Sequence, residues 1–282
     1  MKIPPRPSVR FSHKKPVIAM IHVGALPGTP SHQGNVKELE RQALVEAAIY
    51  KKAGVHGILV ENMHDTPYLK GSVGPEIVAT LSIIARQVKA ASQLPCGVQI
   101  LAGANHEALA VAHAAQLDFI RVEAFSFAHV ADEGLMESCA GKLLRYRRAI
   151  GADSISIWAD IKKKHSSHAI TSDISIGEVA HAVEFMKGDA VIITGATTGD
   201  APQLADLRKS KAATSLPVFL GSGITHKNLR SYLRLADGFI VGSEFKEDGK
   251  WFNPIDEKRI HRFMSRHQKY SSEAPLQAAI LL

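Results

Sequence analysis

Short apolar runs separated by amphipathic stretches recur from one end of this chain to the other, and that alternation narrows the fold more than any single motif does. The runs at 16–23, 55–62, 95–101, 117–123, 154–160, 189–194, 217–220 and 238–241 are mostly continuous in their apolar character, the pattern of strands covered on both faces. Between them lie helix-length amphipathic segments at 35–54, 73–92, 105–116, 137–150, 176–188, 200–212, from Thr225, and at 254–267. Pro75 and Pro202 stand where a first helical turn tolerates proline, and Asn105, Asp200 and Thr225 are candidate caps. Strict strand–helix alternation predicts a parallel sheet with right-handed crossovers. Eight such units in 282 residues match a single (β/α)8 TIM barrel. The rival, an open doubly wound sheet, would carry a G-x-G-x-x-G turn after its first strand, and none is present.

No low-complexity linker interrupts the series, so one barrel is expected over residues 16–270, with a tail at 271–282. The first sixteen residues hold five Lys/Arg, three internal prolines and no acid. Residues 1–15 therefore read as a flexible basic segment, dispensable for folding, with a clipped mitochondrial signal as the other reading. Part of the net charge of +7 lies in that segment, and the helices carry mixed charges with no Lys/Arg stripe interleaved with aromatics, so nucleic acid is not an expected partner. No apolar run approaches the roughly 20 residues of a membrane-spanning helix. Two cysteines, Cys96 and Cys139, with no pairing pattern indicate a reducing compartment, cytoplasm or mitochondrial matrix.

In a (β/α)8 barrel the chemistry collects where strands run into the following helices. Those ends supply His22, Glu61, Asn62, Asp65, Gln99, Arg121, Glu123, Asp160, the run Lys162–Lys163–Lys164, His165 and the "TGATTG" stretch at 194–199. The set is more polar than turns alone require. Strand alternation continued from Asp160 would place Lys162 and Lys164 on its side. A lysine beside carboxylates serves as a base, a Schiff-base nucleophile or a phosphate clamp. Glu61, Glu123 and Asp160 could hold a hard cation such as magnesium, or form salt bridges in the barrel mouth. Gly221-Ser222-Gly223 and Gly242-Ser243 end the seventh and eighth strands, where barrels of this kind often bind phosphate. Glycine lets backbone N–H groups approach an anion, and a helix starting near Thr225 would add its positive end. On that basis Gly223→Val is expected to block the anion and leave the strands intact. Gly-Ser is also ordinary turn chemistry.

The stretches "MIHVGALPGTP", "ENMHDTPY", "VGPEIVATL", "WADIKKKHS", "TGATTGDAP", "LGSGIT" and "ADGFIVGSEFKEDGKWFNPID", in that order, resemble the BtpA/SgcQ family of TIM-barrel proteins from about Val17 to Met264. The resemblance implies a barrel of the ribulose-phosphate-binding kind. One bacterial branch of that family is associated with photosystem I accumulation, another with a sugar-metabolism gene cluster and a nucleosidase assignment. Carried over by position, it singles out Glu61, Asn62, Asp65, Asp160, Lys164, His165, Thr194, Gly195, Thr198, Gly199, Gly221, Ser222, Gly223, Gly242, Ser243 and Lys246. The expected catalytic groups are Glu61, Asp65, Asp160, Lys164 and His165, with the others holding phosphate or substrate. The expected function is an enzyme of lyase, isomerase or nucleosidase type acting on a phosphorylated sugar or nucleoside-like metabolite. The alternative is a non-catalytic assembly or stability factor. Expected partners are that metabolite and, in a homo-oligomer, further copies of the chain.

Overall fold

The computed structural model describes residues 7–195 and 200–278, with side chains to residue 273. Eight parallel strands close into a barrel: β1 (Val17–His22), β2 (Gly57–Glu61), β3 (Cys96–Gln99), β4 (Phe119–Val122), β7 (Ser156–Ile161), β9 (Ala190–Ile193), β10 (Val218–Leu220) and β11 (Gly238–Val241), the last pairing with β1. Helices α1 (Val36–Lys52), α2 (Pro75–Ser92), α3 (Asn105–Ala115), α4 (Ala140–Ala149), α5 (Ile176–Phe185), α6 (Leu204–Ala213), α7 (Leu229–Leu233) and α8 (Glu257–Ala278) follow the strands in turn. The alternation read from the sequence is thus the barrel. One strand-rich excursion was not foreseen. β5 (His129–Ala131) and β6 (Gly134–Met136) form a hairpin after β4, joined by β8 (Ser166–Ser167) from the loop after β7.

Successive side chains of a strand point to opposite faces. The outward set, among them Val17, Ala19, Val60 and Val98, packs against the helices in the main core. The inward set carries Ile18, Met20, Leu59, Phe119, Trp158, Ile192, Phe219 and Ile240. Phe119 and Phe219 stack on Trp158 with ring centroids 4.0 and 4.3 Å away. Gly97 and Gly238 make room for this stack, because a Cβ at either position would overlap the ring of Phe119 or Phe219.

Four helix ends differ from expectation. Asn105 is the first residue of α3 rather than its cap, and its amide donates to the Glu123 carbonyl at 2.8 Å. α6 starts at Leu204, beyond Asp200 and Pro202. Residues 226–228 form a turn whose N–H groups at Lys227 and Asn228 donate to the Thr225 hydroxyl, and α7 is only five residues long from Leu229. α8 runs past 267 to Ala278, so the tail boundary expected at 271 falls inside it. The second half of the basic segment touches the barrel. Val9 and Phe11 pack on the inward apolar set, Phe11 lying 6.1 Å from Trp158.

Candidate active site

The alternation that lines the barrel floor with rings delivers polar residues two positions later. Phe119 is followed inward by Arg121, Trp158 by Asp160, and Phe219 by Gly221. Registers β1–β2 and β2–β3 set His22 beside Glu61 and Glu61 beside Gln99. The result is a mouth with two adjoining cavities. One, of about 160 Å³, lies between the Gly221–Thr225 and Gly242–Glu244 loops and is closed by Arg259 and His22. The other, of about 300 Å³, is lined by Gln99, Glu123, Glu133, Lys163, His165 and Tyr68. Glu61, Met63, Arg121, Lys164 and Trp251 line both, so the two are halves of one depression.

The glycine–serine loops meet at the first cavity. Backbone N–H groups of Gly223, Gly242 and Ser243 have no protein acceptor among the described residues. Ser222 acts between loops: its hydroxyl accepts from Gly195 N–H at 3.2 Å and donates to the Asp200 carbonyl at 3.1 Å. Gly223 has a φ of +68°, and a Cβ there would collide with the backbone of Asp200. Gly223→Val would therefore distort the two loops rather than only fill the cavity, contrary to expectation. No helix dipole adds to the site from α7, which is too short, so the positive charge comes from side chains. Arg259, on the first turn of α8, is held by the Glu244 carboxylate at 3.0 Å and the Glu244 carbonyl at 2.8 Å. Sequence reading passed over it.

Asp160 is not a free acid. Arg121 grips it with two hydrogen bonds of 2.8 and 3.0 Å, and both side chains are buried. A bidentate pair of this kind orients the guanidinium. Glu123 takes Lys163 Nζ at 3.1 Å on one oxygen and Gln99 Nε2 at 3.1 Å on the other. Glu123 and Asp160 are thus committed to cations of the chain, not to a ligand set shared with Glu61. Among the described residues, the group of potential metal ligands within reach of one point lies elsewhere, at His13, His56 and His267 below the barrel.

Glu61 and Lys164 are shifted toward each other. Burial pushes the Glu61 carboxyl up, against the pull of Arg121 and Lys164. Burial also pulls the Lys164 amine down, opposed by Glu61. Pairs of groups displaced in opposite senses are how one site holds both an acid and a base. His22 Nε2 lies 3.6 Å from Glu61 Oε2, and burial holds its imidazole well below the ordinary range, so it stays neutral. Lys164 reaches the cavity because the chain turns at Lys162, whose φ is +47°. That turn ends the strand alternation, so Lys163 and Lys164, not Lys162 and Lys164, line the mouth.

Other expected site residues brace the frame. Asp65 accepts the Leu26 N–H and the Asn62 amide, each at 2.8 Å, while Asn62 Oδ1 accepts the Leu101 N–H at 2.7 Å. Both are buried and tie the loops after β1, β2 and β3. Thr194 Oγ1 accepts the Lys164 N–H at 3.2 Å. Lys246 is buried and paired with Glu46 of α1 at 3.0 Å, outside both cavities. Thr198 and Gly199 lie outside the described residues. Trp251 was not singled out. It follows β11 in a loop and spans both cavities with its ring 6.3 Å from His22 and 5.0 Å from His64.

Comparison with known proteins adds family and fold. The model of the BtpA family matches residues 13–269. An uncharacterized mitochondrial protein of Caenorhabditis elegans is 47% identical, covering 88% of this chain and 91% of its own. The photosystem I biogenesis protein BtpA of Synechocystis is 32% identical, with 96% and 94% covered. Among solved structures, (S)-3-O-geranylgeranylglyceryl phosphate synthase from Thermoplasma acidophilum, in complex with its substrate sn-glycerol-1-phosphate, aligns with a TM-score of 0.58 at 16% identity, covering 90% of this chain and 94% of that one. Phosphoribosyl anthranilate isomerase from Thermus thermophilus aligns at 0.54 and 14%, covering 90% and 98%. At such identities the likeness is one of fold.

Proposed function

The chain belongs to the BtpA family, and from that premise we propose that it is an enzyme acting on a phosphorylated small metabolite of the sugar type. One observation carries the reading: a single depression joins the glycine–serine loops after β10 and β11 to the Glu61–Arg121–Lys164 group. In the proposed binding mode, the phosphate lies against the N–H groups of Gly223, Gly242 and Ser243, with Arg259 beside it. This puts the carbon chain over Arg121 and Lys164. Lys164, its amine easier to deprotonate in its buried position, takes a proton from the substrate. Arg121, held in place by Asp160, meets the negative charge that develops on oxygen, and Glu61 supplies a proton to it. Lyase or isomerase chemistry fits this arrangement. The neighbouring synthase, whose substrate sn-glycerol-1-phosphate is a phosphorylated polyol, supports it as an analogy of fold.

The test is titration with inorganic phosphate and with sugar phosphates, followed by turnover of whichever esters bind. Gly242→Val is the appropriate block, because φ at Gly242 is −114° and a Cβ there would stand 3.2 Å from the His22 ring, so the added methyl groups fill the narrow space beside it. Equal binding by wild type and Gly242→Val would sink the cradle.

A second reading, a non-catalytic assembly factor, is favoured by the Synechocystis relative, a photosystem I biogenesis protein. Complementation separates the two: full rescue of a null cell by Lys164→Ala supports the scaffold, and loss of rescue the enzyme. The basic N-terminal segment and the mitochondrial label of the Caenorhabditis elegans relative favour the mitochondrial matrix as its place of work. An N-terminus shortened in the native protein is the expected mass-spectrometric sign.

A further inference from the structure

Gln99 ends β3 at the wall of the larger cavity, is 2% exposed, and its Oε1 has no hydrogen-bond partner. A buried acceptor left unpaired is costly, so such groups are rare unless something else satisfies them. The amide cannot turn round to offer its nitrogen instead. Nε2 is engaged by Glu123 Oε1, and Glu123 is itself held by Lys163, so a flipped amide would set oxygen against carboxylate. A second such acceptor belongs to the same lining. Glu133, in the turn between β5 and β6, has its Oε2 buried and without a hydrogen-bond partner. Two unpaired acceptors on residues that line one cavity call for a ligand that brings donors.

The charges around the cavity decide what kind of donor. Arg121, Lys163 and Lys164 disfavour an ammonium group, while Glu61, Glu123 and Glu133 disfavour a second anion. Neutral hydroxyls satisfy both constraints, and Tyr68, Leu101 and Trp251 supply apolar surface for the C–H faces of a carbon chain. We infer that this compartment receives the hydroxyl-bearing end of the ligand, with Gln99 Oε1 and Glu133 Oε2 accepting from ligand O–H groups. The inference rests on the phosphate-cradle reading for the other end of the ligand. Together they define a phosphorylated polyhydroxy metabolite, with Gln99 and Glu133 as specificity-determining residues.

The experiment is calorimetric titration of the full chain with four probes: inorganic phosphate, D-ribose 5-phosphate, n-pentyl phosphate and D-ribose. Wild type is expected to bind ribose 5-phosphate at least about tenfold more tightly than pentyl phosphate, because a site built to bond hydroxyls rejects a ligand without them. Gln99→Met should bring that ratio to about one and leave the affinity for inorganic phosphate unchanged. Glu133→Gln, in a turn at the barrel rim, should lower the ratio severalfold and guards against a folding defect in the core variant. A wild-type ratio near one, or a ratio that both variants preserve, overturns the compartment and leaves the cradle standing. If inorganic phosphate fails to bind while ribose still distinguishes wild type from Gln99→Met, the cradle falls and the compartment stands. Failure of all four probes overturns both.

Discussion

At the floor of the barrel, Phe119, Trp158 and Phe219 stack ring on ring; two residues farther along the same three strands stand Arg121, Asp160 and Gly221. The floor gains stability from each side chain it hides, since a buried aromatic removes a large apolar area from water. The mouth loses stability by the same act. It hides Glu61, Glu123 and Asp160 with Arg121, and pairing must offset the desolvation of each. The difference teaches a division of labour: rings and helices hold the barrel, so the mouth is free to keep costly charges where a ligand meets them.

The largest effect that would sharpen this contrast is on turnover. Once a substrate is found, Lys164→Ala should lower kcat by about a hundredfold to ten-thousandfold, the usual worth of a positioned acid or base. The same change should leave the unfolding free energy within about 1 kcal/mol of wild type in urea. A large stability loss with turnover intact would make the mouth a structural site and erase the contrast.

The reverse is expected at the floor. Trp158→Ala removes the middle ring of the stack and should cost about 3–5 kcal/mol of stability, read from urea midpoints at constant slope. Phosphate affinity at the cradle should change little. A loss below about 1 kcal/mol would show that the rings do not support the barrel.

A smaller effect belongs to the segment below the floor. Phe11 packs against Trp158 and is only partly buried, so Phe11→Ala should cost about 1–2 kcal/mol. Truncation of residues 1–15 should cost at least as much, a revision of the composition-based expectation that the whole basic segment is dispensable. A truncated protein with an unchanged midpoint would restore that expectation.

The smallest effect is on pH, and the two ends have opposite signs. Beneath the floor His13, His56 and His267 lie with ring centroids 4.7–5.4 Å apart. His13 and His56 each accept a backbone N–H at Nδ1, and His267 Nε2 meets the Lys15 carbonyl, which ties the three rings to the N-terminal segment and β1. Burial lowers His56 and His267 to about 4, so the unfolded chain binds more protons than the native one between about pH 6.5 and 4. Their contribution is present above about pH 6.5 and is lost as pH falls toward 4. At the mouth Glu61 and Glu123 are raised, so their contribution is present below the ordinary carboxylate range and is lost as pH rises through their folded values. His56→Asn should flatten the acid limb of stability against pH, and Glu61→Gln the limb above it. Identical curves for wild type and both variants would refute this account of the two ends.

Much of this was written along the chain. Eight near-continuous apolar runs, separated in strict alternation by amphipathic helix-length segments, determined the barrel. Place in the chain set Glu61, Gln99, Arg121, Glu123 and Asp160 at its mouth, because they fall where the parallel strands run out toward the following helices. The glycine–serine turns were legible for the same reason. What tertiary structure decided are the relations among residues far apart in sequence. Arg121 takes Asp160 and Lys163 takes Glu123 across 39 and 40 positions, turning expected acids into orienting partners. A positive φ at Lys162 sends Lys164 into the cavity, and the closeness of Asp200 makes Gly223 a packing glycine. Trp251 and Arg259 reach the site because the chain after β11 folds back over the mouth. No local pattern encodes such encounters: charge pairing and close approach are set by distance in space, which exists only once the barrel has closed.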